Sequence, residues 1–140
     1  MNAYLFDEIH VGLEESFHVT VTKEMMAQFK EITGDINPLH CDKEFANQMG
    51  HKDCVAYGML TASFLSTLAG VYLPGKYSLI HEVEHKFVKP VMASDELHVA
   101  GKVIEVNDTF HYFIMKVTIT NQLGEKVLRG KMKVGVLDEK

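Results

Sequence analysis

The chain is poor in the features that would assign it to a specialised class. Two cysteines, Cys41 and Cys54, are too few for a disulfide framework. No run of basic residues appears, and a net charge of −5 with a pI near 5.9 gives no electrostatic footprint for nucleic acid. The first residues, Met-Asn-Ala-Tyr-Leu-Phe-Asp-Glu, lack both the basic start and the apolar stretch of a signal peptide. The longest apolar run, Tyr57 to Leu73, is interrupted by Thr61, Ser63, Ser66 and Thr67, which argues against a membrane span. No repeat, linker or low-complexity segment is visible. These absences lead to the expectation of a cytoplasmic protein without nucleic-acid or membrane partners.

What remains is an ordinary globular composition, 46% hydrophobic and 24% charged over 140 residues. That length suits one domain spanning residues 1–140. Helical signals fill the first half. Thr22 is a plausible N-cap, Met25, Met26, Phe29 and Ile32 recur at helical spacing, and Gly34 stands just past the end. Asp42 is suited to cap a second short helix through Phe45 and Ala46, ending near Gly50. The stretch from Gly58 to about Tyr72 carries no charge on any face, which predicts a helix buried on most sides. Pro74-Gly75 ends it.

The period then changes. Leu79–Val88, Leu97–Val106, His111–Thr120 and Val127–Leu137 are β-branched or aromatic-rich runs separated by turn residues. A shorter strand is expected at Phe17–Val21. Helices first and strands later read as an α+β fold, with a curled antiparallel sheet covering the uncharged helix.

Gly34-Asp35-Ile36-Asn37-Pro38-Leu39-His40 is the stretch with the most chemistry. Pro38 disfavours the α region for Asn37, so the segment turns, and a turn can aim Asp35 and His40 at one water molecule. A polar loop without function would look the same from these seven residues alone.

Together these pieces resemble the MaoC-like dehydratases, in particular the (R)-specific enoyl-CoA hydratases. The resemblance rests on Thr33-Gly34-Asp35-Ile36-Asn37-Pro38-Leu39-His40-Cys41-Asp42, on Tyr57-Gly58-Met59-Leu60-Thr61-Ala62-Ser63, on Leu73-Pro74-Gly75 and on Phe87-Val88-Lys89-Pro90-Val91. It implies a hotdog fold, with Asp35 and His40 as the acid–base pair that adds water across a trans-2-enoyl thioester. It also implies that the Gly58 N–H receives the enolate oxygen, that Ser63 orients Asp35, and that Asn37 and Pro38 shape the turn. The substrate would be carried by CoA or an acyl carrier protein, with no further cofactor and no metal, in a homodimer or higher homo-oligomer. Tyr57 stands where the family commonly has histidine. A thioesterase, or a non-catalytic binder of acyl thioesters, remains open on the same fold.

One motif competes. His81-Glu82-Val83-Glu84-His85 matches the zinc-protease pattern H-E-x-x-H, whose mechanism needs both histidines on one helical turn. The surrounding run reads as a strand, where the two would share a face about 13 Å apart, too far for one zinc ion. Cys41 beside His40 reads as a packing thiol rather than a nucleophile.

Overall fold

A computed structural model describes residues 1–137. Five strands form one antiparallel sheet in the order β1-β3-β4-β5-β2, with β1 Glu14–Thr20, β2 Ser78–Phe87, β3 Glu96–Asn107, β4 Tyr112–Thr120 and β5 Lys126–Val136. The last three strands make an antiparallel meander. β1 adds to the free side of β3, while β2 pairs with β5 and has no strand on its other side among the described residues. β1 starts three residues earlier than the expected strand.

Four helices precede β2: α1 Lys23–Thr33, α2 Pro38–Cys41, α3 Lys43–Gln48 and α4 Gly58–Thr67. Thr22 accepts a hydrogen bond from the Met25 N–H, and Asp42 from the Phe45 N–H, so both expected caps operate. Gly34 ends α1 at φ +73°, a backbone conformation that glycine adopts without the steric cost of a side chain. α2 was not expected. Pro38 breaks a helix interior but fits its first position, and Asn37 caps it by accepting from the Leu39 N–H. His40 therefore stands on a one-turn helix rather than in a turn ahead of one.

α4 is also shorter than expected. After Thr67 the chain widens into a π turn, Leu68–Tyr72, in which the Leu73 N–H reaches back to the Leu68 carbonyl at 2.8 Å. The widening keeps Leu68 and Ala69 fully buried. Gly101 on β3 makes room, since a Cβ there would come within 3.1 Å of the Leu68 side chain.

The core lies between α4 and the concave face of the sheet. Alternation on β4 puts Phe113, Met115, Val117 and Ile119 on that face, all fully buried, with Met132 and Val134 of β5 beside them. Leu60 and Leu65 of α4 enter the same cluster. This is the hotdog arrangement: a curled sheet wrapped round a central helix. The helix is buried only toward the sheet, however. Met59, Ser63 and Ser66 on its other flank are exposed.

Candidate active site

The exposed flank of α4 borders a cavity of about 890 Å³. Asp35, His40, Tyr57, Gly58 and Ser63 all line it, so five of the seven residues marked by the sequence meet in one space. Asn37 does not line it; it holds the backbone of the turn through its bond to Leu39.

Asp35 is exposed and bends back on its own loop, its Oδ1 accepting from the Asn37 N–H at 3.1 Å. This side-chain turn is local, and no bond of Oδ2 competes with a ligand among the described residues. His40 is half-buried, and its Nδ1 lies 2.7 Å from the Val55 carbonyl oxygen. A carbonyl only accepts, so Nδ1 carries the proton and donates. In the neutral ring Nε2 is then left as a base. The Val55 N–H in turn donates to the Leu39 carbonyl at 3.0 Å, which ties the His40 helix to the strand-like segment beside it.

Tyr57 joins the two groups. Its hydroxyl donates to the Asp35 backbone carbonyl at 2.7 Å, and its ring stacks on His40 with centroids 4.2 Å apart. Phe29 packs against the same ring at 4.9 Å. Only 2% of Tyr57 is exposed, and that burial raises the phenol pKa above its ordinary value, keeping it a neutral donor. Tyrosine here works on the frame of the site, pinning the Asp35 loop and backing the His40 ring.

Gly58 opens α4. Tyr57 gives that helix no side-chain cap, so its first N–H groups remain available to a ligand, at the positive end of the helix dipole. A Cβ on Gly58 would come within 3.2 Å of the Phe87 ring, which lies directly over the glycine. Phe87, Gly58 and His40 also line a second cavity, of about 320 Å³, that reaches toward Lys89 and Val91. The Ser63 hydroxyl donates to the Leu60 carbonyl of its own helix at 2.6 Å, so in this state it faces the cavity without bonding Asp35.

Residues 8–126 match the MaoC like domain. The chain belongs to the MaoC-like dehydratase family. Relatives of this MaoC-like chain include the 3-hydroxybutyryl-CoA dehydratase of Methylorubrum extorquens, 32% identical over 101 residues. That match takes in 72% of this chain and 64% of the relative, so the chain spans less than two thirds of that protein's length. The (R)-specific enoyl-CoA hydratase of Rhodospirillum rubrum is 27% identical over 133 residues, covering 95% of this chain and 92% of the relative. Among solved structures, the unliganded R-hydratase of Pseudomonas aeruginosa superposes with a TM-score of 0.90 at 26% identity, over 96% of this chain and 86% of that one. The MaoC-like domain is thus matched in sequence and in fold.

The zinc-protease pattern dissolves in the structure: the run is a strand, as expected, but the two histidines do not share a face. The register of β2 against β5 shifts between Ile80 and Glu82, so His81 is an extra residue in the ladder. His81 lies against Gly135 and Tyr112 on the convex face, while His85 pairs with Gly130 on the concave face. The two histidines do not share a face at all. Among the described residues no group of three histidine, cysteine or acidic side chains could hold a metal ion, and no helix is long and apolar enough to cross a membrane. Cys41 sits on the outside of α2, its thiol directed to the Asn37 and Ile36 carbonyls. His85 and Phe87, which the sequence offered only as part of a zinc motif and of a family motif, line the cavity as well. Both sit in a run whose bulge hides which residues face inward.

Proposed function

We propose that the protein is a hydro-lyase that hydrates trans-2-enoyl thioesters to (R)-3-hydroxyacyl thioesters, or runs the reverse dehydration, in the cytoplasm. The observation that carries this reading is the meeting of Asp35, His40 and the uncapped start of α4 in one cavity. Water held between Asp35 and His40 attacks C3 of the enoyl group. Its O–H bond breaks as one member of the pair takes the proton, and the C3–O bond forms. The π electrons move toward the thioester carbonyl, whose oxygen is held by the Gly58 N–H. A proton from the other member reaches C2 and completes the addition. General acid–base help of this kind is worth about 10²- to 10⁴-fold, and one preorganised donor to the enolate oxygen about 3 kcal/mol. Ser63 stands within the same cavity to contact Asp35 once substrate reshapes it. The hydratase and dehydratase names of the relatives support the reaction class.

The thioester carrier is CoA or an acyl carrier protein, and the chemistry needs no metal or further cofactor. The working unit of this domain is a homodimer joined through β2. That strand is ten residues long, free along one side, and leaves Val83 44% and Phe87 52% exposed. An open edge of this length is a template for pairing, and a second copy of the same strand satisfies it.

Incubation with crotonyl-CoA tests the reading. Loss of the enoyl absorbance without release of thiol is the expected result. Release of free thiol would instead mark a thioesterase, and binding without either change would mark a non-catalytic thioester binder.

A further inference from the structure

On the concave face of β2, Ile80, Val83, His85 and Phe87 look into the cavity that holds Asp35 and His40. Three of these are apolar and suit a hydrocarbon chain. His85 does not. Its cross-strand partner is Gly130, which has no side chain, and beyond that lies Val117 of β4. A Cβ at Gly130 would run into the Glu84 carbonyl oxygen and come within 2.8 Å of the His85 Cβ, so the glycine lets the two strands approach closely at that point. Phe87 meets the imidazole edge-on at 4.9 Å. The His85 ring therefore stands in an apolar setting, with Nδ1 sealed from solvent and lacking any hydrogen-bond partner among the described residues.

An imidazole nitrogen in that position fixes the tautomer. A buried unpaired N–H is rarer in proteins than a buried unpaired acceptor, so the proton of the neutral ring belongs on Nε2. Nε2 is not sealed in the way Nδ1 is, and His85 is one of the residues that line the cavity. The wall thus presents one N–H donor within a surface that is otherwise hydrocarbon. A purely apolar acyl chain laid on it would strip water from that donor and return nothing, a mismatch that discriminates strongly between ligands.

Resting on the hydratase reading, we infer that His85 is a specificity-determining residue that selects acyl chains bearing a hydrogen-bond-accepting oxygen, such as a hydroxyl, beyond the double bond. The interaction is N–H to oxygen and involves no covalent step. The apolar neighbours Val83 and Phe87 hold the carbons on either side, and His85 reads the oxygen between them.

The test compares pairs of equal size that differ by a methyl group and a hydroxyl. 4-Hydroxybut-2-enoyl-CoA is set against pent-2-enoyl-CoA, and 5-hydroxypent-2-enoyl-CoA against hex-2-enoyl-CoA. Wild-type kcat/KM is expected to favour the hydroxylated member of at least one pair by about tenfold or more. His85→Leu is expected to bring that ratio to one or below, and His85→Asn, which keeps a donor, to restore part of it. The saturated 4-hydroxybutyryl-CoA and pentanoyl-CoA, titrated calorimetrically into the same three proteins, give the same comparison without turnover. A wild-type ratio near one in every pair overturns the inference, as does a ratio that His85→Leu leaves unchanged. Absence of turnover together with a His85-dependent binding preference would overturn the hydratase reading and leave this one standing.

Discussion

The two flanks of α4 are built by opposite rules. Toward the sheet, Leu60 and Leu65 meet Phe113, Met115, Met132 and Val134, and none of the four strand residues has any exposed surface. Toward the cavity, Met59, Ser63 and Ser66 face Asp35, His40 and the rim of β2, where Phe87 remains half exposed. The first flank stores the folding free energy of the domain. The second holds groups whose value lies in meeting something that is not part of this chain. The difference teaches where to look: damage on one flank should be read in stability, and on the other in turnover and association.

Four experiments sharpen or break that division. The largest effect is expected from Asp35→Asn and His40→Ala, each lowering kcat/KM on enoyl-CoA by about 10²- to 10⁴-fold. Asp35→Asn is exposed and should leave the urea midpoint almost unmoved, so a full loss of stability there would break the comparison. Phe113→Ala on the covered flank should cost about 3–5 kcal/mol in denaturant unfolding while the folded fraction keeps its KM. Val83→Lys places a charge on the open strand β2 and also in the cavity wall, so KM for enoyl-CoA should rise with it. Sedimentation should show self-association weakened by on the order of tenfold to a hundredfold, with little change in unfolding of the separated subunit. Tyr57→Phe is the mildest, because it removes one hydrogen bond worth about 1 kcal/mol and keeps the ring on His40. A several-fold drop in kcat with an unaltered KM would assign the Tyr57 hydroxyl to positioning the Asp35 loop; unchanged kcat would remove it from the site.

Much of the covered flank could be read from sequence because its signals are local and periodic. Runs of β-branched and aromatic residues marked the strands that build it, and Thr22, Gly34 and Asp42 marked helix boundaries through bonds spanning three or four residues. The cavity flank was legible only in part. Asp35 and His40 stood out as a pair, but Pro38 obscured α2, since a residue that breaks a helix interior is also the one that opens a helix. The tie from Tyr57 to Asp35 spans 22 residues and has no local signature. His85 was read only as half of a zinc motif, on the same face as His81, because the inward face of β2 changes parity part-way along and no periodicity argument survives such a shift.

That shift has a last consequence. Ile80 pairs with Val134 and Glu82 with Lys133, which are neighbours in β5, so the ladder on either side of His81 would close up unchanged if that residue were missing. His81 is a spacer that bends the strand, and it is also the first histidine of the only metalloprotease pattern in the chain. A homologous chain without the spacer would keep the cavity wall and lose the motif. Here a pattern of letters that spells one enzyme records instead how a β-strand was curved to fit another.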